Sequence, residues 1–85
     1  LQGSVSKVQI AFDGDVPEFE KYVNVVHHSV MGKVHTIIVK GEPEMVESKL
    51  MNLTPILMDL LPLTLEEIFI YELGGENYEV KDILF

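Results

Sequence analysis

Short apolar runs separated by strong breakers constrain this chain most, because they limit it to brief elements of regular structure. Residues 6–12 alternate apolar and polar side chains, which is the period of a strand with one buried face. Three further runs, rich in valine, isoleucine and leucine, predict strands at 23–31, 33–40 and 56–61. The second and third of these strands flank Gly32, which predicts a hairpin.

Two helical patterns separate the predicted strands. Apolar residues at helical spacing predict a short helix over 16–22 and a second helix over 43–54. Pro43 suits the first turn of the second helix, and the residue before Pro55 avoids helical angles. The resulting order is strand, helix, strand, strand, helix, strand. This order predicts an α+β, ferredoxin-like βαββαβ fold, followed by one additional C-terminal helix.

The additional helix, predicted over 65–73, is marked at both ends. Thr64 can accept a hydrogen bond from the first turn, and the Glu67 side chain can bond back to the Thr64 N–H, which makes a capping box. Gly74 follows the last turn, where a left-handed residue favours glycine. The apolar residues predicted to share one face are Leu65, Ile68, Phe69 and Leu73. We expect this helix to cover apolar surface at a sheet edge or on the open face of the sheet.

The residues of this helix also carry a family resemblance. The run PLTLEEIFIYELGGE (62–76) resembles the phrase that ends many bacterial ABC transporter ATP-binding subunits, after their nucleotide-binding domain and a small C-terminal domain. This chain fills the main positions of the phrase between Leu65 and Gly75. It has Leu-Glu followed by a second acidic residue, then a branched aliphatic residue and Phe, and finally Gly-Gly. The phrase covers roughly one-sixth of the chain. The strand and helix order before it is of compatible length.

The resemblance implies that this chain is the non-catalytic C-terminal accessory domain of such a subunit. The parent protein would be an ATPase, and ATP and Mg²⁺ would bind in its missing N-terminal domain. The accessory domain would contact its own nucleotide-binding domain, the second ATPase subunit or the membrane permease. It would lie in the cytoplasm, at the inner face of the membrane, through the permease. Residues 1–5 are then a linker, 6–75 the domain and 76–85 a tail.

The side chains expected to contact a partner lie on the last helix. They are Leu65, Phe69, Tyr71 and Leu73. Most apolar residues of a capped helix pack inward, so Phe69→Ala should cost about 3–5 kcal/mol, and a much milder loss would indicate a partner surface. Two alternatives stay open. One is a stand-alone ferredoxin-like module that senses a small molecule, usually as a dimer, and the other is a self-association module that uses the apolar tail.

Composition excludes several classes of function. The net charge is −8, with six lysines and no arginine, and the lysines are spread singly along the chain. This spread predicts no basic patch, so nucleic-acid binding is not expected. The absence of cysteine excludes disulfides and thiol catalysis. Apolar residues make up 47% of the chain, which excludes disorder, but the longest apolar region, 53–63, is too short to span a membrane.

Three histidines and an acidic segment are candidate metal ligands. With a turn at Met31 and Gly32, His27 and His35 would lie across the hairpin from each other, but a metal site would need a third ligand. His27 and His28 are adjacent on a strand and point to opposite faces, so they do not easily share one ion. We interpret all three as ordinary strand histidines. The acidic residues of 13–20 are likewise interpreted as solvated and capping side chains rather than a calcium loop.

Overall fold

The computed structural model of this chain describes residues 4–72. The strands are β1 (Val5–Ala11), β2 (Asn24–Met31), β3 (Val34–Lys40) and β4 (Leu57–Leu61), and a 3₁₀ turn (Phe19–Lys21) joins β1 to β2. The helices are α1 (Pro43–Met51) and α2 (Leu65–Glu67), and a π-helical turn (Ile68–Glu72) continues α2 so that the two make one C-terminal helix. None of the helices in this described range is long and apolar enough to cross a membrane.

The four strands form one antiparallel sheet in the order β2-β3-β1-β4. Consequently β1 and β2 run parallel with β3 between them, and β3 and β4 run parallel with β1 between them. Each predicted strand begins and ends within one residue of an observed strand. The structure is therefore a mixed α/β domain, and its sheet is compatible with the predicted ferredoxin-like order.

The first predicted helix, 16–22, is wrong, because the structure forms only the 3₁₀ turn in this segment. Twelve residues join Ala11 to Asn24, and they must return along β1 while crossing over β3. A strand of seven residues is about 23 Å long, whereas each helical residue advances only about 1.5 Å. The crossover is therefore mostly extended. Phe19, with 1% of its surface exposed, anchors it to the sheet.

The main core lies between the sheet, this crossover and α1. Its buried members are Val8, Ile10, Phe12, Phe19, Ile37, Val39, Val46 and Leu50. α1 begins at Pro43 as predicted and ends at Met51, three residues before the predicted end. Val46 and Leu50 lie four residues apart on one helical face, and both are almost fully buried.

The C-terminal helix packs on the opposite face of the sheet. Ile38 points away from the main core, yet it is only 1% exposed. Its register neighbours are Lys7 on β1 and His27 on β2. Lys7 forms an ion pair with Glu67, and the ring centroid of His27 lies 6.1 Å from that of Tyr71. The helix thus reaches from Lys7 on β1 to His27 on β2, so of the two expected positions, a sheet edge or the open face, it takes the open face.

Candidate functional site

The N-terminus of the C-terminal helix is held by two reciprocal hydrogen bonds. The Glu67 N–H donates to Thr64 Oγ1 at 3.1 Å, and the Thr64 N–H donates to Glu67 Oε1 at 2.9 Å. The predicted capping box is therefore confirmed. It provides partners for two backbone donors, one in the first helical turn and one at the capping residue.

The same carboxylate joins this helix to the sheet. Lys7 Nζ donates to Glu67 Oε1 at 3.2 Å and to Oε2 at 3.0 Å, and the two side chains are 19% and 23% exposed. Burial alone would raise the pKa of Glu67, but the Thr64 N–H and the Lys7 ammonium stabilise the carboxylate and lower that pKa below its ordinary value. Glu67 therefore both starts the helix and fixes it on the open face.

The four predicted contact residues do not share one environment. Leu65 is 86% exposed, so it does not pack with the rest of the predicted apolar face. Phe69 and Tyr71 are half-buried, and Tyr71 contacts His27. Leu73 and the predicted glycine cap after it lie outside the described residues. Contact of these side chains with a partner stays a prediction.

The backbone geometry of the C-terminal helix changes after its first turn. After Glu67 the backbone changes from α-helical to π-helical hydrogen bonding, from the fourth to the fifth residue along the chain. The common face was predicted from spacings of three and four residues, which assume an α-helix throughout. Residues of the π turn are half-buried, while Leu65 in the first turn points into solvent.

A second exposed apolar feature, which the sequence interpretation missed, lies on β4 and on the residue that precedes it. Ile56, Leu57 and Leu60, here called the apolar edge, are 64%, 38% and 39% exposed. Within residues 4–72, β4 pairs only with β1, so it is an edge strand. Exposed apolar side chains beside an open strand edge are typical of interaction sites. The signal was present, because residues 56–61 are apolar at nearly every position instead of alternating.

The histidines are arranged differently from the prediction. The turn falls at Gly32 and Lys33, with Met31 paired to Val34 and Val30 to His35, so His28 rather than His27 lies beside His35 and on the same face of the hairpin. His28 Nε2 is 2.9 Å from His35 Nδ1, and both rings meet Phe19 at centroid distances of 5.4 and 5.7 Å. Burial, and then the neighbouring His28, lower the pKa of His35. Among residues 4–72 no group of three or more histidine, cysteine, aspartate or glutamate side chains is placed to hold a metal ion.

The chain is similar in sequence to part of a known ABC transporter ATP-binding protein. Over 77 residues the chain is 34% identical to the ABC transporter ATP-binding protein YtrB of Bacillus subtilis. The match covers 91% of this chain but only 26% of that protein. No protein-family model matches the chain, and no solved structure matches it. The chain therefore resembles one part of an ABC transporter ATP-binding protein and spans about a quarter of its length.

Proposed function

We propose that this chain is the C-terminal accessory domain of an ABC transporter ATP-binding subunit, with a ferredoxin-like fold. The observation that carries the proposal is the unequal coverage of the match, 91% of this chain against 26% of the relative. A single domain of a larger subunit would produce this asymmetry. The resemblance of residues 62–76 to the closing phrase of such subunits supports the C-terminal position.

Under this proposal the domain acts by contact, and the chemistry takes place elsewhere in the subunit. Because 77 residues make up 26% of the relative, that protein has about 300 residues, most of which lie outside the matched part. ATP and Mg²⁺ would bind there. The domain would touch its own nucleotide-binding domain, the second ATPase subunit or the permease, and would thereby bias closure of the ATPase dimer at the inner face of the membrane.

Exposed apolar side chains on a rigid support favour a contact role. Leu65 begins a helix that Glu67 and Lys7 hold to the sheet, so a partner would meet a side chain whose backbone is already positioned. The apolar edge adds further exposed apolar surface on β4. Contiguous exposed apolar surface beside an open strand edge is typical of interaction sites.

The first test is the mass of the native polypeptide, measured by immunoblot of source-cell fractions with an antibody raised against this domain. We expect a band several times heavier than the 9.6 kDa of this chain, enriched with membranes. A soluble band at the mass of this chain would overturn the proposal.

The second test asks whether Leu65 contacts a partner in the parent protein. Leu65→Gln should leave the melting temperature unchanged, because the side chain is 86% exposed, but should reduce recovery of the second subunit or permease in pull-downs. Met31→Gln is the matched control, since Met31 is 84% exposed at the far hairpin and should change neither quantity. If Leu65→Gln and Met31→Gln recover the partner subunit equally well, Leu65 does not lie at the contact surface. A heavy native band would still support the proposal that the chain is part of a larger ATP-binding subunit.

A further inference from the structure

His28 and His35 form a close pair on the sheet face that carries the main core. His28 is opposite Ile37 and His35 is opposite Val30, so the two histidines are diagonal neighbours on β2 and β3. His28 Nε2 and His35 Nδ1 are 2.9 Å apart. The turn of the hairpin fixes this register, so the backbone itself holds the two imidazole rings next to each other.

The buried ring of Phe19 supports both histidines. Its centroid lies 5.4 Å from that of His28 and 5.7 Å from that of His35, and both contacts are edge-on. Phe19 is only 1% exposed, whereas His28 is exposed and His35 is half-buried. The pair therefore has a fixed support on one side and remains accessible to ions in solution.

The spacing of the two nitrogens matches that of neighbouring ligands on one metal ion. Imidazole nitrogens bind transition metals at about 2.0–2.1 Å. Two such ligands are about 2.9 Å apart when the angle between them is about 90°, and about 3.3–3.4 Å apart at the tetrahedral angle. The observed 2.9 Å therefore fits adjacent positions of a square-planar or octahedral ion. Square-planar and tetragonal sites with nitrogen and oxygen ligands are typical of Cu²⁺ and Ni²⁺.

Both facing nitrogens can offer a lone pair at once. In the metal-free pair one of them carries the hydrogen that bonds to the other. When a metal ion binds, that hydrogen moves through solvent to the outer nitrogen of the same ring, and a small rotation of each ring directs both lone pairs at the ion. The two imidazoles stay neutral, which is the form that binds metals.

We propose that His28 and His35 form a two-histidine chelate for a divalent transition-metal ion, Cu²⁺ or Ni²⁺. Water molecules would fill the remaining coordination positions, so the ion is exchangeable, unlike the zinc of a closed structural site. The third protein ligand that the sequence interpretation required is then unnecessary. The net charge of −8 favours the approach of a cation. The proposal is independent of the ABC transporter assignment.

Copper provides a test that also locates the site. Isothermal titration calorimetry of the 85-residue chain with CuCl₂ or NiCl₂, in a buffer that does not bind metals, should show one saturable site per chain. Because Cu²⁺ is paramagnetic, a small fraction of it should broaden the amide signals of the ¹⁵N-labelled chain around His28, His35 and Phe19 first. Broadening that begins instead in the acidic segment 13–20 or at the N-terminus would overturn the proposal.

Histidine variants separate the chelate from general attraction of cations. His28→Gln and His35→Gln should each weaken binding of Cu²⁺ at least about tenfold, because a single imidazole remains and the advantage of two linked ligands is lost. His27→Gln is the matched control, since His27 lies on the other face of the sheet, and it should weaken binding by less than about twofold. An amide spectrum that changes only near each substitution would show that the variants fold. Binding that does not saturate, or equal losses in His27→Gln and His28→Gln, would refute the chelate.

Discussion

Replacing Glu67 by alanine tests whether one carboxylate both starts the C-terminal helix and attaches it to the sheet. The change removes the acceptor of the Thr64 N–H and both hydrogen bonds from Lys7 Nζ. The Thr64 hydroxyl still accepts from the residue 67 N–H, so half of the capping box remains. The decrease in the free energy of unfolding therefore reports the interactions of the Glu67 side chain and not the whole capping box.

The expected cost has two parts. Loss of a capping interaction typically costs about 1 kcal/mol. An exposed ion pair is worth about 0–1 kcal/mol, whereas breaking a buried one costs about 3–5 kcal/mol. Lys7 and Glu67 are about one-fifth exposed and doubly bonded, so we place their pair between these limits, at about 1–2 kcal/mol. The sum is about 2–3 kcal/mol, which should lower the melting temperature of a domain of this size by about 10–20 °C.

Urea denaturation followed by circular dichroism would measure this loss. Glu66→Ala is the matched control, because Glu66 is exposed in the same helical turn and forms no ion pair within the described residues. It should change the free energy of unfolding by about 0.5 kcal/mol or less. If Glu67→Ala and Glu66→Ala have equal effects, the ion pair and the cap do not contribute as argued.

The pH dependence gives an independent check of the same interaction. The pKa of Glu67 is lowered in the folded state, so its contribution is present above the ordinary glutamate pKa of 4.5 and is lost as the pH falls through the folded-state value. The difference in stability between wild type and Glu67→Ala should therefore shrink below about pH 4.5. In a double-mutant cycle, Lys7→Ala and Glu67→Ala should show a coupling energy of about 1–2 kcal/mol that disappears over the same pH range.

Two further predictions concern the histidine pair and a constrained glycine. Because folding lowers the pKa of His35, the contribution of His35 to stability should be fully present above about pH 6.5 and should be lost as the pH falls below that value. In urea denaturation, His28→Gln should reduce this dependence of the unfolding free energy on pH, whereas His27→Gln, on the other face of the sheet, should not. Equal slopes for both variants would contradict the assignment. Gly41→Ala should cost about 1–3 kcal/mol in thermal unfolding, because φ is +140° and a Cβ atom would lie 3.1 and 3.2 Å from side-chain atoms of α1. Gly14→Ala, with no atom within 4 Å, should be nearly neutral, and similar losses for the two alanine variants would refute the steric argument.

Much of the fold followed from local patterns in the sequence. The strands were located within one residue, because alternation of apolar side chains is preserved when one face of a strand is buried. The prediction of a helix over 16–22 was wrong for a reason that no local pattern contains. The crossover has to extend along β1 and past β3, and this distance is defined only by the order of strands in the sheet.

The candidate site was predicted in part. The capping box joins residues three positions apart, so Thr64 and Glu67 were sufficient to predict it. Lys7 is sixty residues from Glu67, and nothing in either segment indicated the pair between them. The predicted α-helical spacing anticipated neither the π turn after Glu67 nor the exposure of Leu65.

The sequence by itself determined the strands, the start of α1 and the cap of the last helix, because these depend on residues within about four positions of one another. Only the tertiary structure decided which histidines meet, which sheet face the last helix covers and which lysine pairs with Glu67. The turn at Gly32 and Lys33 set the register that placed His28 beside His35, and the order of strands brought Lys7 of β1 under Glu67 of the last helix. These arrangements join distant segments, so they depend on strand order and register, which become definite only when the two faces of the sheet are buried together.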